Sequence, residues 1–157
     1  MGRSRGTVAP VATLTARGAS WTGMAAGNNN GIVNVTAAQA FTGGGEGATF
    51  FRHLRATGFI TGNPADVGVN ALPVNAWGGR VGVVATTAVQ GRPVARLLVC
   101  MGNVPGKAAA ALDVQLDDGV PNGGSFRATQ GANNVVPGGA ATAYSEDQTY
   151  TVCRELA

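Results

Sequence analysis

Two cysteines, Cys100 and Cys153, bracket the last third of the chain and are the only cysteines in its 157 residues. Their separation excludes the close spacing of a metal-binding motif, so two arrangements remain. Either one thiol is buried on a strand and the other is free near the C-terminus, or the two form a disulfide. A disulfide indicates an oxidising compartment. In the chain-entropy model, closing a loop of this size stabilises the fold by about 4 kcal/mol.

The length and the composition favour one loop-rich domain. A chain of 157 residues buries enough surface to form a core of its own. Its 25 glycines and its low content of charged residues, 12%, differ from the highly charged, apolar-poor composition of disordered chains. We therefore expect a single domain with long glycine- and asparagine-rich loops, of the kind found in secreted proteins.

Neither a membrane span nor a targeting segment is expected. No apolar run approaches the ~20 residues that a membrane helix needs. Residues 1–5 lack the organisation of a signal peptide, so the chain is expected either not to be exported by itself or to have lost its export segment. The net charge is +3, but the basic residues form no continuous run and no aromatic residues alternate with them, which disfavours nucleic-acid binding.

One amphipathic segment, residues 46–57, predicts a helix. Phe50, Phe51 and Leu54 lie three and four positions apart and form an apolar face. An acidic residue in the first turn and basic residues towards the end suit the helix dipole. Gly58 then supplies a residue that adopts the left-handed conformation at a helix end.

Alternating apolar residues predict strands in the second half of the chain. The predicted strands cover residues 80–88 and 94–101, which form a hairpin or meander, and then residues 125–129 and 149–153.

A second helix is predicted over residues 107–116. Asn103 is a suitable N-cap for it, and Pro105 suits its first turn. Together these elements indicate an α+β fold, an antiparallel β-sheet with short helices on one side. Residues 1–44 are expected to form an extended, loop-rich lead-in, and residues 45–157 a single globular domain.

Three stretches resemble one known family. Phe50 to Ile60 resembles an aromatic-x-His-Leu helix followed by a glycine-hydrophobic-Ile turn, and Asn75 to Gly79 resembles a Trp-Gly-Gly turn before a sheet. Asn103 to Ala128 resembles an alanine-rich helix followed by an Asp-Asp-Gly-x-Pro turn. In this order the stretches are similar to the globular head of type IV pilin-like proteins, the prepilin-type N-methylation family. The resemblance covers roughly residues 45–157.

The resemblance implies a pilin-head-like fold whose C-terminal region is bounded by a disulfide between Cys100 and Cys153. It also implies a structural subunit of an extracellular filament on the bacterial cell surface, acting by subunit packing and surface display. Its partners would be other copies of itself or a separate helical pilin subunit. Loops 22–31, 63–76 and 130–143, together with the disulfide-bounded region 100–153, would supply the subunit contacts and the exposed face. The alternative is a pseudopilin or minor pilin of a secretion or DNA-uptake machine.

The N-terminal region departs from the family, whose members begin with a long apolar helix. Residues 1–20 do not resemble even the lower half of that helix. Three hypotheses account for the difference. The chain is a soluble head without its anchor, a split pilin whose helix is encoded separately, or a pilin-derived head that forms or decorates an assembly without the helix.

Asp117, Asp118 and Asn122 are candidates for binding calcium, because carboxylate and amide oxygens are ligands that this hard cation prefers. Asp113 lies one helical turn before Asp117 and shares its face. The spacing does not match the helix–loop–helix calcium motif. A capping and turn role is therefore the favoured interpretation, and no cofactor is expected.

Arg80, Arg92, Arg96 and Arg127 are candidate surface contacts, either for a protein partner or, in the DNA-uptake alternative, for nucleic acid. His53 is the only histidine, and we expect it to pack or donate a hydrogen bond rather than to bind a metal. The serines have neither a nucleophile elbow nor a matching base. We therefore expect neither an enzyme nor a small-molecule substrate.

Overall fold

A computed structural model describes residues 18–19 and 32–156, which contain a four-stranded antiparallel sheet with short helices. The strands are β1 (Val81–Val84), β2 (Leu98–Pro105), β3 (Phe126–Gln130) and β4 (Thr149–Glu155), in the spatial order β1-β2-β4-β3. The α-helices are α1 (Gly47–Ala56) and α2 (Gly106–Leu116). Short 3-10 turns cover Ala37–Gln39, Gly68–Ala71 and Val89–Gly91. The predicted α+β fold is confirmed.

Helix α1 forms where the apolar spacing predicts it. Phe51 is buried, and the ring of Phe50 meets it edge-on with the ring centroids 5.3 Å apart. Gly58 adopts a φ of 81°, and its N–H donates to the carbonyl of Arg55, while the next N–H reaches back to Leu54. This pair of bonds satisfies carbonyl groups at the helix end, the role that glycine at this position serves.

Helix α2 begins at Gly106, directly after β2, and the prediction of Asn103 as its N-cap is wrong. Asn103 lies within β2 at an irregularity between Met101 and Val104, with a φ of 57°. Its side-chain oxygen accepts a hydrogen bond from the N–H of Asn134, 2.9 Å away. This hydrogen bond fixes a loop to the sheet. Asparagine suits the position because its short side chain tolerates the left-handed conformation that the bulge requires.

The helices cover both faces of the sheet, not one side as predicted. Successive side chains of a strand point to opposite faces, so Cys153 and Val152 belong to different layers. The Cys153 layer also contains Phe51 of α1, and the Val152 layer contains Ala109 of α2. The central strand β4 is buried on both faces, and two helices are therefore needed to exclude water from it.

The disulfide between Cys100 and Cys153 is present and joins the two central strands. The two residues are direct partners in the β2–β4 register, with their Cα atoms 4.1 Å apart, and both are fully buried. The bond therefore crosses the middle of the sheet and closes the chain around α2 and β3.

The packed region begins before residue 45, where the lead-in was predicted to end. Val33, Val35, Ala40 and Phe41 are buried in the same layer as α1. Residues 32–36 form no regular strand, although the N–H of Ala85 donates to the carbonyl of Val35. The first part of the predicted lead-in, residues 1–31 except 18–19, lies outside the described residues and includes loop 22–31.

Both edges of the sheet are covered by the chain itself. At the β1 edge, Val81 donates its N–H to Pro73 and Ala85 donates to Val35. At the β3 edge, the N–H of Ala128 donates to Pro121, and its carbonyl accepts from Ala141. Covered edges do not offer a free ladder for another strand.

Replacing Gly82 by alanine is expected to lower the free energy of unfolding by about 1–3 kcal/mol, the usual cost of overpacking. A Cβ atom on Gly82 would overlap the carbonyl oxygen of Ala40, which is buried in the same layer as α1. Gly139 is the matched control, because a Cβ atom there meets nothing within 4 Å. Urea unfolding of the two variants measures the difference, and equal stabilities would contradict the close approach.

Candidate functional site

Three carboxylates gather where α2 ends and the chain turns towards β3. Asp113, Asp117 and Asp118 each offer a carboxylate oxygen, and these oxygens lie within 4.8 Å of one another. Asp113 is fully buried, whereas Asp118 is exposed. The structure thus brings together the predicted residues Asp117 and Asp118 and adds Asp113, while Asn122 is exposed on the following turn. We call residues 113–122 the acidic turn.

Each carboxylate of the acidic turn accepts a hydrogen bond from the chain itself. Asp113 accepts from the N–H of Gly119 at 2.9 Å and from the hydroxyl of Tyr144 at 2.5 Å. Asp117 accepts from the N–H of Phe126, at the start of β3, and Asp118 accepts from the N–H two residues further on. These bonds close the helix end and fix the turn, as the capping interpretation predicts. A cation bound here would have to compete with these donors.

Burial and nearby groups shift the pKa values of Asp113 and Tyr144. Removal from water raises the pKa of Asp113, the hydrogen bonds from Tyr144 and Gly119 oppose that rise, and the nearby charge of Asp118 adds to it. The pKa of Tyr144 is raised as well, first by burial and then by its bond to Asp113. The hydroxyl of Tyr144 therefore keeps its proton and acts as the donor.

Asp113→Asn is expected to gain stability relative to the wild type as pH rises. Because the pKa of Asp113 is raised in the folded state, the native protein binds this proton more tightly than the unfolded chain does. Its contribution to stability is therefore full below the unfolded pKa, about 3.9, and is lost as pH rises through the folded pKa. Asparagine does not ionise, so the variant lacks this loss. Urea unfolding below and above that pH window should show the free energy of unfolding of the variant rising relative to that of the wild type.

Tyr144→Phe provides the second variant for the same measurement. It removes the donor to the ionised carboxylate, so its stability loss should be larger at neutral pH than at acidic pH. Differences from the wild type that are constant with pH in both variants would contradict the coupling between Tyr144 and Asp113.

The four predicted arginine contacts do not form one surface. Arg96 is exposed. Arg80 donates to the carbonyl of Val69 at 2.9 Å, and Arg127 donates to the carbonyls of Gly124 and Gln90. The guanidinium groups of Arg80 and Arg127 thus bind different loops, which weakens the interpretation of the four arginines as a joint binding surface.

Arg92 is only 2% exposed, so its prediction as a surface contact is wrong. Its guanidinium forms an ion pair with Glu155 at 3.3 Å and donates to the carbonyls of Ser125 and Cys153. It also donates to the side-chain oxygen of Gln90 at 3.0 Å. Burial and the charge of Arg127 lower the pKa of Arg92, and Glu155 opposes this. The donors of the buried Arg92 are satisfied by Gln90 in the turn before β2, by the residue before β3 and by β4.

A shallow cleft of about 240 Å³ lies between the first 3-10 turn and the loop after β3. Its lining includes no histidine, cysteine, lysine, arginine or carboxylate. The lining residues are Ala37, Ala38, Phe41, Thr42, Asn133, Asn134 and Val136. This cleft therefore offers no acid–base pair for chemistry.

Comparison of the chain with protein-family models, with curated proteins and with solved structures gave no match. Within the described residues, no helix combines the length and the apolar character that crossing a membrane requires.

Proposed function

We propose that the chain is a structural subunit of a type IV pilus-class filament on the bacterial cell surface, and that it acts by subunit packing and surface display. Its partners would be copies of itself or a separate helical pilin subunit. One observation carries this proposal. A single segment, residues 58–74, exposes several large apolar side chains although its backbone is firmly held. Those side chains are Phe59, Val67, Val69 and Val74, of which Phe59 is 77% exposed.

Three arginines hold this segment, which we call the arginine-held loop. Arg52 donates to the carbonyl of Pro64 at 2.9 Å, and Arg80 donates to Val69. Arg55 donates to the carbonyls of Thr61 and Ala71. Guanidinium groups thus hold the loop before and within its short 3-10 turn, Gly68–Ala71.

A fixed loop with exposed apolar side chains favours a packing function. Apolar side chains that are scattered singly over a surface need no explanation, but a group on one loop is typical of an interaction surface. Because the loop is already ordered, covering it costs little conformational entropy. The disulfide between β2 and β4 cross-links the centre of the sheet, and a rigid body suits a subunit that is repeated many times.

The experiment is immunogold electron microscopy of cells that produce the chain, with antibodies raised against it. Gold particles along surface filaments are expected, and filaments and label should both disappear when the gene is deleted and return when it is restored. Label without filaments, confined to points in the envelope, would support the secretion or DNA-uptake machine instead. Either that result or the absence of surface label would overturn the filament proposal.

A further inference from the structure

We propose that copies of this chain associate head to tail, with the arginine-held loop of one copy against the acidic turn of the next. This interface deepens the proposed function and rests on it, because it names the surfaces through which the subunits pack. The partner is a second copy of the same chain.

Charge of opposite sign is separated between the two halves of the described chain. Residues 32–97 contain five arginines, one aspartate and one glutamate, whereas residues 98–156 contain six carboxylates and three basic residues. Three of these arginines, Arg52, Arg55 and Arg80, contact the arginine-held loop. Three of the carboxylates, Asp113, Asp117 and Asp118, belong to the acidic turn. Since α1 and α2 pack on opposite faces of the sheet, the two charges also lie on different sides of the molecule.

The charges on both surfaces lack ionic partners within the described residues. Arg52, Arg55 and Arg80 donate to backbone carbonyls, which carry no net charge. Asp117 and Asp118 accept from backbone N–H groups. Arg52 is buried, but Arg55 and Arg80 are partly exposed and Asp118 is exposed, so the charges of these three side chains stay available to a partner of opposite sign.

Each surface also carries exposed apolar side chains beside its charges. On the acidic turn, Val114 is 71% exposed, and Leu116 and Val120 are exposed as well. On the arginine-held loop, Val74 is 64% exposed and forms a bridge to Arg80. Apolar contacts bordered by charges of opposite sign are typical of protein interfaces.

The same charges determine the kind of assembly. Pairing like surfaces, loop to loop or turn to turn, would bring equal charges together, and that juxtaposition costs several kcal/mol. Pairing by strand addition is disfavoured because β1 and β3 are covered by their own chain. When each contact joins two different surfaces, one loop and one turn remain uncovered at the ends of the assembly, so further copies can be added. The assembly grows into a filament when the rotation between successive copies does not close a ring.

The test is sedimentation velocity of the full, disulfide-bonded chain over a range of concentrations. The wild type should associate with increasing concentration, and association should weaken when added salt shortens the Debye length from about 30 to about 3 Å. Arg80→Glu and Asp118→Lys should each weaken association at least about tenfold. The double variant Arg80→Glu/Asp118→Lys should recover it, because the reversed charges again meet with opposite sign.

The matched controls are Arg96→Glu and Asp147→Lys, which reverse exposed charges outside both surfaces and should leave association unchanged. Because Arg80 also holds the loop, the thermal midpoint of each variant is measured alongside. If Arg80→Glu unfolds, Val67→Glu replaces it, because the side chain of Val67 is exposed on the same loop and makes no hydrogen bond that holds the loop.

Three results would each overturn the interface: a wild type that stays monomeric at every concentration, single variants that associate normally, or a double variant that does not recover. These outcomes are separate from the microscopy. Labelled filaments together with unaffected variants would remove the interface and leave the proposed function in place. Association through the two surfaces without labelled filaments would support the interface and remove the filament.

Discussion

Replacing Cys100 and Cys153 together by alanine is expected to lower the free energy of unfolding by about 4 kcal/mol. The bond closes a loop with a sequence separation of 53 residues, and its loss returns that loop's entropy to the unfolded chain. The two alanines also leave smaller side chains between α1 and the sheet, which adds a cavity cost. Guanidinium unfolding followed by circular dichroism measures the change.

The unmutated protein under reducing conditions is the control for this prediction. Both sulfur atoms are buried, so reductant should reach the bond only when the protein opens, and reduction should be slow below the unfolding transition. A double variant that is as stable as the wild type would contradict the view that the cross-link holds the two central strands.

Arg92→Met is expected to destabilise the fold by about 3 kcal/mol, because it leaves several buried acceptors without a donor and each such group costs about 1–3 kcal/mol. Methionine fills much of the same volume but donates no hydrogen bond. The carbonyls of Ser125 and Cys153 and the side chain of Gln90 would lose their donor, and Glu155 would lose its cation. Unfolding in urea measures the loss.

Arg96→Met is the matched control, because the same substitution four positions away removes an exposed charge. Its effect should stay within about 0.5 kcal/mol. A double-mutant cycle with Glu155→Gln then separates the ion pair from the bonds to carbonyl groups. If Arg92→Met and Arg96→Met had similar stabilities, Arg92 would not be the link between the turn, β3 and β4.

The contrast between Arg92 and Arg96 shows what kind of information a sequence lacks. Both arginines lie in the same short turn region and look equivalent in the sequence. Burial depends on which polar groups the fold brings near the side chain, and Arg92 meets groups from β3 and β4 that are far along the chain. The sequence around Arg92 and Arg96 therefore does not predict those partners.

The acidic turn gives a second example. Helical spacing alone placed Asp113 and Asp117 on one face, because neighbours one turn apart are set by the helix itself. The donor from Tyr144 comes from a loop 31 residues away, and no spacing rule predicts it. The burial of Asp113, which raises the pKa of its carboxyl group, could not be predicted from the sequence either.

The sequence by itself determined the elements that depend on near neighbours: α1 with its Gly58 end, the order of the strands along the chain and the antiparallel α+β class. These follow from apolar periodicity and backbone preferences over a few residues. Only the tertiary structure decided which face each helix covers, that Asn103 joins a bulge instead of capping α2, and that Val33 and Phe41 enter the core. It also decided which arginines are buried. Those outcomes depend on contacts between distant segments, and such contacts form only when the sheet is assembled.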